Sequence, residues 1–346
     1  MVTCKVTYSG FMSTPHLQNI MTAQEYIQSK LEDLKQPLSI TKPANDEQLA
    51  EAIFKTLMSK KFRKYSATTE LTGHIKNAIS LNIKNHEPIN VTFLHGAYKL
   101  WRLEEAPEAD WAELFALMYY SNWVKPVCEI YDPGVWFDFF VDDLIIPRLD
   151  NVDAEDIQAY IKSYQALMDF LKKYQPSNLK MTITPVGSQF DSQQAFELSV
   201  QRNLKKLTAD LPGGLPELNN SQRAMVELNT KATDEQLKDP EWREKVYHLH
   251  NAYMATKAEP GYHKNRPEKI LAFNQPLPSG ASISVGSTKD SIMKFWIGIG
   301  VLKPKDDSFR QVVLSPHQLE QAHFNFEDTH INGLESKNFG KIRVLT

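Results

Sequence analysis

The chain has 346 residues, 42% of them hydrophobic and 23% charged, with a formal net charge of −3. That length can bury a substantial core in one or two domains, and a near-neutral balance argues against a protein held to nucleic acid or to a membrane surface by bulk electrostatics. Cys4 and Cys128 are the only cysteines, far apart and outside any CxxC pattern, so neither a disulfide framework nor a thiolate metal site is expected.

The opening stretch "MVTCKVTYSGFMSTPHLQNI" lacks the apolar core of a secretory signal, and no apolar run approaches the ~20 residues of a membrane span, so the reading is a cytoplasmic protein. In "NDEQLAEAIFKTLMSKKF", Leu49, Ile53 and Leu57 recur every four residues behind an Asn45 or Asp46 cap, which predicts a helix. A second helix is expected over about 68–85. "EPINVTFLH" follows as a mostly buried strand, and Asp110 and Glu113 have the spacing of a capping box opening a helix at "DWAELFALMYY". "VWFDFFVDD", after a Pro-Gly turn, reads as a strand. "DAEDIQAYIKSYQALMDFLKKY" carries Ile157, Tyr160, Ile161, Tyr164, Leu167, Met168 and Leu171 on one helical stripe, and "LKMTITPV" supplies a further strand.

Alternating helices and strands at this spacing predict an α/β fold: a mainly parallel, Rossmann-like sheet flanked by helices. Residues 1–62 form an N-terminal helical segment in this reading and 63–190 the α/β core. A helical region then covers 191–258, broken by "DLPGGLPELNNS". A β-rich part over 259–346, with "KILAF", "ASISV", "KFWIGIGVL" and "RQVVL", extends the same sheet or builds a second one.

Ligands of parallel sheets gather beyond the carboxyl ends of the strands, and His95, Tyr98, Lys99 and Arg102 follow such an end. Lys99 and Arg102 are cationic donors suited to a phosphate or carboxylate, and a buried lysine there could form a Schiff base; the alternative is a solvated basic loop. His95 is equally suited to packing and to catalysis. Asp142 shares the alternation of Asp138 and Phe140, so it either projects into a pocket or, with Asp143, caps the turn before "LIIPRL". Gly298 and Gly300 in "WIGIGVL" read as structural. His248 and His250 stand two apart on a helix, which points their rings apart, and His317, His323 and His330 lack zinc-like spacing, so no metal site is expected.

The order of "EPINVTFLHGAYKL", "DWAELFALMYY", "EIYDPGVWFDFFVDD", "LIIPRLDNV" and "DAEDIQAYIKSYQALMDFL" resembles the pyoverdine/dityrosine biosynthesis family, which includes the isocyanide (isonitrile) synthases. About a third of the chain carries this resemblance. Position by position, Lys99 falls on the family's loop lysine, Asp142 on the aspartate of its "S-D-G" element, and Tyr131, Pro133 and Gly134 on its "Y-x-P-G" turn. The chain departs from the pattern where "F-P-x-K-S" becomes "GAYKL", where Val141 and Asp143 flank the aspartate, and where Arg148 replaces an acid. The later "R-L-S-I-H-P" element is absent, with Arg266 or Lys269 as its nearest basic counterpart, and "P-W-H" retains only Trp296.

The resemblance implies an enzyme condensing an amino acid with ribulose 5-phosphate, without metal or organic cofactor. Lys99 would contact phosphate or carbonyl and Asp142 the amine, supported by His95, Tyr98, Arg102 and Arg266. A downstream oxygenase would be a pathway partner. Two other readings stand beside it: a divergent member using another amine or phosphosugar, and a binding protein on the same fold.

Overall fold

A computed structural model describes residues 21–96, 103–144, 147, 152–209, 217–230, 232–258, 268–273, 280–286, 292 and 295–346. Three helices open it: α1 (Ala23–Lys35), α2 (Asp46–Leu57) and α3 (Thr69–Lys84). Each is started by a side-chain oxygen accepting a helix amide, from Thr22, Asn45 and Thr68 respectively. Asn45 is therefore the cap that the sequence left between two neighbours.

The core then alternates β1 (Ile89–His95), α4 (Trp111–Ile130), β2 (Val135–Val141), α5 (Ala154–Leu171) and β3 (Leu179–Pro185). Four further helices, α6 (Gln193–Thr208), α7 (Asn220–Asn229), α8 (Asp234–Lys238) and α9 (Pro240–Ala258), lead to β4 (Lys269–Phe273) and β5 (Ser282–Ser284). These five strands form one all-parallel sheet in the order β3-β2-β1-β4-β5. Of the C-terminal strand candidates, two thus extend the first sheet. β6 (Ile299–Lys305), β7 (Ser308–Leu314), β8 (Phe324–Asp328) and β9 (Lys341–Leu345) build a second, mixed sheet in the order β7-β6-β9-β8.

The two faces of the parallel sheet differ in chemistry. Phe93, Phe137 and Phe139 lie on one face, where Tyr120 of α4 stacks on Phe137 at 4.9 Å and Tyr164 of α5 meets Phe139 at 5.3 Å. Both crossovers step in the same direction across the sheet, and right-handed connections put their helices on this same face. The return from β3 to β4 runs in the opposite direction, so the same handedness carries α6–α9 over the other face. On that face Asn90 accepts from Thr92, and Asp138 accepts from Thr182 and Thr184 at 2.8 and 2.6 Å.

The second sheet rests on the start of α4. A Cβ on Gly300 would lie 2.4 Å from the Trp111 carbonyl carbon, so only glycine permits this approach, and the Trp111 indole N–H donates to Lys341 O at 2.7 Å. Gly298, by contrast, precedes the strand that the sequence suggested would contain both glycines. The other end of the sheet is tied to α1 through Ala23 N–H donating to Glu327 and His330 N–H donating to Gln24.

The tight turn into β2 is fixed around Gly134, whose φ is +70°. Gly134 N–H donates to Tyr131 O at 2.9 Å, and the Tyr131 hydroxyl donates to Glu87 O at 2.7 Å. A Cβ on Gly134 would meet Asn178 O at 2.0 Å, while Val135 N–H donates to that same oxygen. Gly134→Ala is expected to destabilise the protein by about 2–4 kcal/mol through left-handed strain and overpacking. Urea unfolding checks this; a change within ~0.5 kcal/mol would contradict it.

Candidate active site at the ends of the parallel strands

In the strand order β3-β2-β1-β4-β5 the direction of winding reverses between β1 and β4. Such a switch point opens a crevice at the carboxyl ends of the strands, and ligands of open parallel sheets bind there. His95 is the last residue of β1 and Asp142 the first after β2, so both stand at this edge. The Asp142 amide donates to His95 O at 3.3 Å, which holds the two strand ends together.

His95 and Asp142 are both buried, at 2% and 1% exposure. His95 is in register with Val141, so its ring belongs to the aromatic face, whereas Asp142 continues the alternation of Asp138 and Phe140 on the polar one. The imidazole is packed among Phe139, Tyr160, Tyr164, Phe295 and Trp296, with centroids between 5.2 and 6.4 Å away. Its Nδ1 lies 2.7 Å from Gly96 O. A carbonyl only accepts, so Nδ1 carries the proton in this bond, and in the neutral ring Nε2 is then the acceptor nitrogen.

Asp143 turns the other way, and its carboxylate accepts from Gly187 N–H at 2.8 Å, pinning the turn after β3. Of the two adjacent acids, for which the sequence offered pocket or cap as alternatives, Asp143 is thus bonded to the turn after β3. Tyr98, Lys99, Arg102 and Arg266 lie outside the described residues. Among the described residues no group of three or more histidine, cysteine, aspartate and glutamate side chains could hold a metal ion.

Three features of this edge had a faint sequence signal or none. Asp138 sits between Thr182 and Thr184, and Thr182 also receives the Trp136 indole N–H at 2.8 Å. The alternation in "WFDFF" and "TIT" is the signal that could have found it. Glu113 serves the α4 capping box, bonding Asp110 N–H at 2.9 Å, and also accepts the Tyr160 hydroxyl at 3.2 Å. Nothing in sequence joins residues 47 apart in this way. Tyr164, seen only as a core position, buries a hydroxyl that has no hydrogen-bond partner among the described residues.

No family model matches the chain. No curated protein matches it either. Among solved structures, the PvcA protein from Pseudomonas aeruginosa superimposes with a TM-score of 0.58 at 15% identity, covering 86% of this chain and 99% of that one. The chain has the fold of PvcA. At that identity the likeness to PvcA is one of architecture, and it agrees with the family resemblance carried by about a third of the sequence. A tyrosyl-tRNA synthetase from Aeropyrum pernix is also matched, at a TM-score of 0.30 and 8% identity over 64% of this chain and 60% of that one. That level is too low to support an argument. No helix of the described residues is long and apolar enough to cross a membrane.

Burial holds the Tyr164 phenol well above the ordinary tyrosine range, with the Glu113 carboxylate adding to the effect. The folded-state value then exceeds the unfolded one of about 10, so this contribution is fully present below about pH 10 and lost as pH rises above it. Tyr164→Phe removes both that titration and a buried, unsatisfied hydroxyl. The variant is expected to be as stable as the parent, or up to ~2 kcal/mol more stable, near pH 7. It should also unfold at a higher alkaline midpoint. Denaturant melts across pH check both, and a loss of stability near neutrality would contradict the reading.

Proposed function

We infer that the chain is an enzyme of small-molecule biosynthesis, of the isocyanide-synthase type, joining the amine of an amino acid to a carbon of ribulose 5-phosphate. The observation that carries this reading is the buried Asp142 at the carboxyl end of β2, bonded through its amide to the end of β1 beside the topological switch point. It is the position on which the family's aspartate falls, in a chain with the PvcA fold. A cytoplasmic setting, with a downstream oxygenase consuming the product, belongs to the same reading.

The chemistry asks for an unprotonated amine, a polarised carbonyl, an anchored phosphate and a dry site. A buried carboxylate can hold an ammonium group and receive its proton as nitrogen attacks. Asp142 has that burial, and its electrostatic hold is strengthened where water is excluded. Cationic side chains anchor phosphate and stabilise the developing oxyanion, the role assigned to Lys99 with Arg102 and Arg266, and the Tyr98 hydroxyl is a supporting hydrogen-bond donor. His95, with Nδ1 held by Gly96 O, could accept or relay a proton at Nε2.

The altered lysine loop, "GAYKL", favours a second version of this reading, in which the same pocket takes a different amine or phosphosugar. Purified protein incubated with ribulose 5-phosphate and a pool of amino acids, followed by mass spectrometry, is expected to consume the phosphosugar and yield an isocyanide mass. Asp142→Asn and Lys99→Ala should each lower turnover by about 10²-fold or more while leaving the protein folded. Phosphosugar loss with another product would support the second version. A folded protein that turns over none of a panel of amines and phosphosugars would sink both and leave a binding role.

A further inference from the structure

A cavity of about 380 Å³ opens between residues 104–111 and the β8–β9 side of the second sheet. Its size is that of a site for a small organic molecule. Its walls carry carboxylates from Glu104, Glu105 and Asp110 and cations from Lys337, Lys341 and Arg343. Several of these charges are already engaged. Asp110 accepts the Ala112 amide at 2.6 Å as the α4 cap, and Glu105 is ion-paired with Arg343. Arg343 in turn lies over the rings of Phe324 and Phe326, at 5.4 and 5.2 Å.

Counted together the lining carboxylates and cations balance, and the cations left to a ligand are the exposed Lys337 and Lys341. Lys341 is 3.9 Å from Asp328 in an exposed pair that contributes little, and Lys337 stands exposed on the same wall. Against them is Glu104, also exposed. The apolar surface comes from Ile299, Trp111 and Phe326, and Phe326 keeps 56% of its area exposed, an unusual use of a large aromatic on a strand.

We propose that this cavity is a second small-molecule site, for an aromatic carboxylate whose anionic end meets Lys337 and Lys341 and whose ring covers Phe326. A monoanion suits it better than a phosphate dianion, because Glu104, Glu105 and Asp110 line the same cavity and repel further negative charge. The ligand would lie against residues 103–110, which lead into α4. That segment is held to the second sheet by Asn338, whose amide donates to Glu105 O at 2.7 Å and Ala109 O at 3.2 Å, and by Ser336 donating to Glu108 at 2.7 Å.

Calorimetric titration of the whole protein with benzoate and phenylacetate tests the site, with benzylamine and inorganic phosphate as controls. Saturable binding of the carboxylates is expected, with both controls weaker by about 10-fold or more. Lys337→Gln/Lys341→Gln and, separately, Phe326→Ala change only exposed side chains and should each weaken carboxylate binding by about 10-fold, whereas Asp142→Asn should leave it unchanged. The proposal is overturned if neither carboxylate binds, if benzylamine binds as well as benzoate, if both surface variants bind like the parent, or if Asp142→Asn abolishes binding.

Discussion

The burial of α4 is the constraint on which the rest of this structure depends. A helix with apolar residues almost all round must be covered on every side, and one sheet covers one side only. Here the parallel sheet takes the face bearing Tyr120 and Trp123, while the second sheet reaches the start of the helix through the close contact at Gly300. Even its polar members comply. Lys125 is buried yet donates to Asp33 O at 3.0 Å in the last turn of α1, where the helix dipole favours a cation, and burial lowers its pKa.

This arrangement explains why the β-rich C-terminal part is integral to the fold. Residues 103–110, which lead into this fully buried helix, lie against the C-terminal part, with the carbonyls of Glu105, Glu108 and Ala109 bonded by Asn338. The buried carbonyls of an irregular segment need such partners, since each left unpaired would cost roughly 1–3 kcal/mol.

The parallel sheet contributes a second asymmetry. Its aromatic face is covered by α4 and α5, and its other face carries Asn90, Thr92, Asp138, Thr182 and Thr184, paired among themselves. Buried polar groups in a sheet interior are tolerated because they are satisfied, and they leave that face chemically distinct up to Asp142. The fold of PvcA is reached at 15% identity, which fits an architecture that rests on patterning and handedness more than on particular side chains.

Local chemistry made much of this legible in advance. The Asn45 cap, the Asp110–Glu113 box, the stripe on α5 and the apolar strands are periodic or positional signals, and each appears as an element near its expected bounds. The sequence by itself therefore determined the alternation of helices and strands, the turn at Gly134 and the arrival of His95 and Asp142 at strand ends, because these depend on residues within a few positions of one another. Tertiary structure alone decided that β4 and β5 join the first sheet while β6–β9 form another. It alone set Asp138 between two threonines of β3, joined Tyr160 to Glu113, and held the segment before α4 with Asn338. Those contacts link residues from some 40 to more than 200 positions apart, and no local periodicity encodes which distant partner a side chain will meet.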